Sequence, residues 1–375
     1  MKNRLKKRWP VWLGIILAAW GIHDLVLVLS SVFVQGSLSL PGIVDLIGQR
    51  LTEPGDAVRY LDIAKNGYTA VGENAINLVF YPLYPYLIRF LSLIVPNRAL
   101  SGLIISRVSF AGAAVLLYEW ILYERKCTAD AWLGVMLLSL YPFSVFVLGV
   151  YSESLFLVLT IGCLFLLRKK RFVCAGIAGF LAALCRVQGM LLILPAAYEM
   201  LSLRLGDEKR RFSPKDLSVL LIPAGFGVYL LINYALHGNP FQFLQYEAEE
   251  PWYQTTHWIS RNIALQYSLS RQHQGLSWII YLPQIALYFL ALCTLLLGVK
   301  EKTPVSVILY GGAYLGFTFL SGWMISGGRY MLSCVPIYLI LSSVKSASAR
   351  RLLLLAFALT NVVYSLLFYM SYAIM

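Results

Sequence analysis

Apolar residues in this chain come in long runs separated by short polar breaks, from Val11 to the last residue. Uncharged runs approaching about twenty residues have the length of membrane-spanning helices. The pattern predicts eleven spans, at roughly 11–34, 100–122, 131–149, 152–168, 171–187, 189–203, 216–236, 276–298, 303–322, 330–344 and 352–373. Two polar stretches interrupt them, 35–98 and 237–275, with no block large enough for a separate soluble domain. The expectation is one all-α, polytopic transmembrane bundle over residues 1–375. One apolar run is left out of the count. Tyr81 to Val95 is bracketed by Pro82, Pro85 and Pro96 and interrupted by Arg89. The stretch between prolines is only about ten residues, half of what a crossing needs. An interfacial or re-entrant helix at 81–95 is predicted instead.

Composition agrees. Of 375 residues, 59% are hydrophobic and 13% charged, against about 25% charged in soluble domains. A net charge of +13 raises nucleic-acid binding as a function, but the placement of the bases argues against it. They fall in short clusters between apolar runs: Lys2 to Arg8, Arg168 to Arg171, Arg204 with Lys209 to Arg211, and Arg350-Arg351. That is the cytoplasmic-loop bias of membrane proteins. If 81–95 does not cross, every strong basic cluster lies inside, with the N-terminus cytoplasmic. The first run is too long for a signal peptide and lacks a cleavage site, so an uncleaved first span is expected. The six cysteines suggest no disulfide framework. The four histidines are scattered, and no metal-ligand spacing or phosphate-binding glycine loop occurs, so no cofactor is indicated.

Candidate chemistry gathers at the predicted outer boundary. Residues 55–85 concentrate acids, tyrosines and prolines between spans, and Asp56 lies there. Ser152-Glu153 occupies the turn between spans 3 and 4, Arg186 and Gln188 the turn between spans 5 and 6, and Arg329-Tyr330 the start of span 10. All four places fall on one side and could converge. A carboxylate there can take a proton from a hydroxyl, an arginine can hold a phosphate, and tyrosines can pack on a sugar. Glycosyl transfer from a lipid-linked sugar phosphate suits such a set. Each residue also has a structural explanation: Asp56 as a solvated loop acid, Glu153 as a helix-start residue, Arg329 as a snorkelling rim charge. Asp62, Glu73 and the acids at 247–250 read as solvated. His23-Asp24, in mid-span, reads as a pair satisfied by a neighbouring helix. Ala175 and Gly179 read as a close-approach pair between helices.

The residues themselves carry a resemblance. Gly55-Asp56-Ala57-Val58-Arg59-Tyr60-Leu61-Asp62-Ile63-Ala64-Lys65-Asn66-Gly67-Tyr68, followed by Asn77-Leu78-Val79-Phe80-Tyr81-Pro82-Leu83-Tyr84-Pro85, is similar to a first-loop signature WDxxxYxxIAxxGY and NxxFFPLYP. Tyr151 to Phe156 is similar to YTESLF, Arg186-Val187-Gln188-Gly189 to an RPxG turn, and Arg329-Tyr330 with Pro336 to a late RYxxxxxP element. In these features the chain resembles the polytopic mannosyltransferases of the GT-C superfamily, most closely the PIG-V type. The resemblance implies a GT-C fold with a large first extracytoplasmic loop and a polyprenyl-phosphate sugar donor. It also implies a lipid-linked or cell-envelope acceptor and inversion at the anomeric carbon. By it, Asp56 is the base, and Arg59, Tyr60, Tyr81, Glu153, Arg186, Gln188, Arg329 and Tyr330 face donor or substrate. Two positions depart from the pattern: Gly55 stands where the family has tryptophan, and Gln188 near where it has proline.

The expected function is therefore a multi-pass membrane glycosyltransferase, transferring mannose or another hexose outside the cytoplasm. The chain ends Ser-Tyr-Ala-Ile-Met without a retention signal, which favours a bacterial plasma membrane. Two alternatives stand beside this reading: a flippase or transporter of lipid-linked saccharides, and a GT-C scaffold without activity.

Overall fold

The computed structural model describes residues 2–53, 55–205, 213–272, 277–320 and 326–372. The basic cluster Lys209 to Arg211 and His273 lie outside the described residues. Among those residues the chain is helical. In order, the helices are α1 (Lys2–Gln35), α2 (Leu40–Thr52), α3 (Asp56–Asn66), α4 (Leu83–Leu91), α5 (Arg98–Arg125), α6 (Thr128–Ser139), α7 (Glu153–Arg168), α8 (Phe172–Cys185) and α9 (Ile193–Leu205). They continue with α10 (Leu221–His237), α11 (Gln242–Ala248), α12 (Ile259–Gln272), α13 (Ser277–Lys300), α14 (Val305–Leu320), α15 (Gly327–Met331), α16 (Pro336–Leu341) and α17 (Ala347–Tyr369). Among the described residues, five segments are long and apolar enough to cross a bilayer unaided: Arg8–Gln35, Arg98–Arg125, Pro214–His237, Trp278–Lys300 and Ala347–Tyr369. Thr128–Ser139, Phe172–Cys185 and Val305–Leu320 are apolar but shorter.

Eleven full-length helices are therefore not what forms, and proline explains two of the differences. The stretch 131–149 is helical only as far as Ser139, then turns at Pro142 and runs on as a 3₁₀ segment, Ser144–Val147. Proline lacks the N–H a continuing helix needs and collides with the preceding turn. The buried break is held by Asn361 of α17, whose amide donates to the Tyr141 carbonyl at 2.7 Å and the Ser144 hydroxyl at 2.5 Å. The stretch 330–344 breaks in the same way, with Pro336 opening α16. The stretch 189–203 begins as a 3₁₀ segment, Val187–Leu192, before α9. The short α4 forms where the prolines bracket it. Its nine residues rise about 14 Å, under half the thickness of the hydrocarbon core.

The core is built around α5, α7, α8 and α10, packed in succession. A side chain at Gly179 would meet Ile222 at 2.5 Å and the Cys163 sulfur at 3.4 Å, so close approach is the role of this position. His23 and Asp24 are both engaged by neighbouring helices: His23 Nε2 lies 2.8 Å from the Ser139 carbonyl, and Arg107 of α5 reaches Asp24 at 2.6 Å. Arg107 in mid-span is a membrane charge that the apolar pattern concealed. All six cysteines are free.

Ion pairs gather at the two ends of the bundle, about 22 Å apart along α7. At the Arg168 end, that guanidinium donates to Glu124 at 2.8 Å and Glu199 at 2.9 Å, and Lys170 also pairs with Glu199. Arg350 pairs with Asp130 at 2.6 Å, and Arg8 with Glu119, at this same end. The clusters 168–171 and 350–351 thus sit at one end of the bundle. At the other end of α7 is Glu153.

Candidate active site

The site starts from an unusual turn. Gly55, which precedes α3, has φ +59° and ψ −128°, a conformation essentially restricted to glycine. A tryptophan there would be strained. Asp56 is the first residue of α3, where unpaired backbone N–H groups favour a negative charge. Its side chain is 27% exposed, the most open of the site's charges. One turn on, Tyr60 points inward and donates to Ser152 Oγ at 2.9 Å. Its ring packs edge-on against Phe80 and Tyr84, each with centroids 5.1 Å away. Burial, and after it the Asp56 charge, pushes the Tyr60 hydroxyl far above its usual range, which keeps it a hydrogen-bond donor.

Three further segments bring charges to Asp56. Glu153 begins α7, completely buried; Arg186 closes α8 in extended backbone; Arg329 lies in α15. Arg329 links the acids: its Nε donates to Glu153 Oε1 at 2.5 Å and its Nη2 to Asp56 Oδ2 at 2.6 Å. Arg186 Nη1 donates to the same Glu153 oxygen at 2.8 Å and to Ser152 Oγ at 3.2 Å. Glu153 Oε2 is buried without a hydrogen-bond partner. The rings of Tyr151 and Phe146 lie 4.8 and 4.9 Å from the Arg329 guanidinium carbon, and Tyr330 lies 5.1 Å from that of Arg186. Such aromatic faces suit a cation in a dry setting. Placement of Arg329 depends on Gly328, where a Cβ would fall 2.2 Å from the Phe143 ring.

Of the residues singled out in the sequence, Asp56, Tyr60, Glu153, Arg186, Arg329 and Tyr330 meet here. Four do not join the charges. Arg59 turns to the loop, donating to Asn77 Oδ1 at 3.3 Å. Asp62, expected to be solvated, accepts from Asn66 and Asn77 at 2.7 and 2.8 Å and so braces that loop. Gln188 is buried but makes no hydrogen bond to the cluster. Tyr81 belongs to a neighbouring aromatic group, stacked on Tyr229 with centroids 4.0 Å apart. Of the aromatic partners, Tyr151 opens the motif Tyr151 to Phe156, whereas Phe146 carried no signal in the sequence.

The arrangement pairs two carboxylates with two guanidiniums, so the cluster has no net charge. A guanidinium has five N–H donors; Arg329 uses two on the acids and has the rest for a phosphate. Asp56, at the open edge, is placed to accept a proton. Among the described residues no group of three or more His, Cys, Asp or Glu side chains converges as a metal would need. Asp56 and Glu153 are the carboxylates at hand, and Arg329 engages both.

The family model "Mannosyltransferase (PIG-V)" matches residues 25–212, a stretch that holds Asp56, Glu153 and Arg186. No curated protein sequence matches the chain significantly. Among solved structures, the chain is similar to the Archaeoglobus fulgidus oligosaccharyltransferase tethered to an acceptor peptide. The two are 13% identical, with a TM-score of 0.47, over 98% of this chain and 55% of that one. The chain thus spans about half the length of that relative. With half of its length matched by one family, and with a helical fold whose long apolar segments are long enough to span a bilayer, the protein belongs to the PIG-V mannosyltransferase family.

Proposed function

We propose that the protein transfers a hexose, mannose in keeping with its family, from a polyprenyl-phosphate donor to a hydroxyl of a lipid-linked or cell-envelope acceptor. In this reading the fold is of GT-C type, the N-terminus is cytoplasmic, and the reaction takes place at the extracytoplasmic face. The observation that carries it is the contact of one guanidinium, Arg329, with both Asp56 and Glu153. Arg329, supported by Arg186, binds the donor phosphate; Glu153, its charge shared between the two arginines, fixes their positions. Asp56 takes the proton of the acceptor hydroxyl. The new bond forms between that oxygen and the anomeric carbon as the bond to phosphate breaks, and the phosphate leaves with the electron pair. A single in-line displacement inverts the anomeric carbon.

A donor phosphate on the remaining Arg329 N–H groups shares the guanidinium charge with Asp56. Donor binding therefore weakens the hold of Arg329 on Asp56 and frees the base, which makes donor-first binding the expected order. The transport alternative lacks comparable support, since His23, Asp24 and Arg107 are engaged with neighbouring helices rather than gathered in a second polar site. The test compares wild type with Asp56→Asn in detergent, using radiolabelled polyprenyl-phosphate mannose and membrane extract as acceptor. Release of polyprenyl phosphate by wild type but not by the equally folded variant is expected. Equal release by both would remove Asp56 from its role.

A further inference from the structure

Arg329 is carried by α15, a five-residue helix buried at Gly327, Gly328, Arg329 and Met331. The first N–H groups of a helix have no partner within it, and a buried one left alone is costly. Side chains from three other segments reach this short helix. Gln284 of α13 accepts from the Gly328 N–H through Oε1 at 2.6 Å. The Tyr141 hydroxyl, just beyond α6, donates to the Gly328 carbonyl at 3.0 Å. The Tyr314 hydroxyl of α14 donates to the Tyr330 carbonyl at 2.9 Å. All three side chains are buried, Gln284 to 1% exposure. The peptides on both sides of Gly328 are thus held by side chains from distant parts of the chain, and Arg329 follows directly.

Gln284 stands apart from the two tyrosines. Tyr141 and Tyr314 also fill the aromatic core, against Tyr338 and Phe156, so packing alone accounts for their rings. Gln284 is the only amide in the apolar helix α13, and burying an amide is unfavourable unless its hydrogen bonds are met. Its Nε2 faces the Ile280 carbonyl one turn back, at 3.4 Å, which leaves Oε1 to Gly328. The amide lies tight against this backbone, since a Cβ at Gly327 would fall 3.1 Å from Oε1. Its own turn of helix is anchored as well. Pro283 offers no N–H to the Ile279 carbonyl, which the Tyr364 hydroxyl of α17 takes at 3.0 Å. A side chain held this firmly can hold another in place. We propose that Gln284 is a positioning residue for glycosyl transfer: its amide fixes the peptide before Gly328, and through it aims the Arg329 guanidinium at the donor phosphate. The proposal rests on the transfer reading and adds to it a residue that acts only through the backbone beside Arg329.

Steady-state transfer by the full-length protein in detergent, with polyprenyl-phosphate mannose as donor and membrane extract as acceptor, tests it. Losing one buried hydrogen-bonding partner corresponds to about a tenfold effect. Gln284→Leu, close in size but without polar atoms, is expected to raise the donor KM by about that factor and to weaken inhibition by added polyprenyl phosphate in proportion. Gln284→Glu, protonated in this buried place, keeps an acceptor for the Gly328 N–H and a donor for the Ile280 carbonyl, and is expected to restore both. A residue that only stabilised the fold would reduce the share of working enzyme, so kcat would fall with the donor KM unmoved. That result overturns the proposal, as does unaltered kinetics in the leucine variant. Where the leucine variant does not fold, Gln284→Asn, one methylene short of the N–H, is expected to raise the donor KM, and an unmoved KM in it overturns the proposal equally. If wild type consumes no donor, the transfer reading fails on its own. Equilibrium binding of polyprenyl phosphate to wild type and to Gln284→Leu then decides the positioning role, and equal binding by both, or none by wild type, overturns it.

Discussion

Glu153 is the residue on which the site turns, because one of its oxygens holds two guanidiniums inside the protein. Replacing it with glutamine removes the only charge shared by both arginines. Breaking a buried ion pair from one side costs about 3–5 kcal/mol, so Glu153→Gln is expected to lower the thermal midpoint in detergent markedly as well as to weaken donor binding. Asp56 is the opposite case, about a quarter exposed and bonded by one contact. Asp56→Asn is expected to leave folding intact while transfer falls by about 10²–10⁴-fold, the usual contribution of a positioned base. Glu247 gives a pH signature. Burial raises its carboxyl from 4.5 to about 7, so between those values the folded protein holds a proton that the unfolded chain has lost. Stability contributed by this group is full below 4.5 and declines as pH rises towards 7. Thermal melts across that window should slope downward for wild type and flatten in Glu247→Gln, with Tyr81 and Tyr229 as the neutral groups facing it. The sequence placed Asp56, Glu153, Arg186 and Arg329 at one boundary because charges between apolar runs are conspicuous. It misread Asp62 and Glu247 as solvated, because the settings of both depend on loop packing between residues far apart in the chain.

Each charged group at the element scale is delivered by a helix end or a helix break. α3 starts at Asp56, α7 starts at Glu153, α8 stops at Arg186, and the five-residue α15 carries Arg329. Apolar patterning finds the helices but treats the breaks as noise, which is why 131–149 and 330–344 read as whole spans. Pro142 and Pro336 mark those breaks in the sequence; their meaning depends on Asn361 and other distant partners that satisfy the open backbone. Gly328 shows how tightly one break is set. With a Cβ placed 2.2 Å from the Phe143 ring, Gly328→Ala is expected to destabilise the protein by about 1–3 kcal/mol. It should also raise the donor KM by displacing Arg329, and a melt paired with donor titration reads both effects.

Across the whole molecule, the two bands of ion pairs define which helix ends share a side, and the proposed topology assigns the sides. In a cysteine-free background, Val71→Cys in the first loop is expected to react with a membrane-impermeant maleimide in intact cells. Lys345→Cys, beside the basic pair 350–351, is expected to react only after permeabilisation. The reverse pattern would invert the topology and move the site to the cytoplasm. The neutral sum of Asp56, Glu153, Arg186 and Arg329 also bears on turnover. A sugar-phosphate diester brings one negative charge to these arginines, whereas the lipid monophosphate left after transfer carries about 1.5 to 2 at neutral pH. The site thus grips its spent carrier more firmly than its donor. Catalysis on this plan would be throttled by the escape of the carrier lipid back into the bilayer, and added polyprenyl phosphate should act as a strong competitive inhibitor.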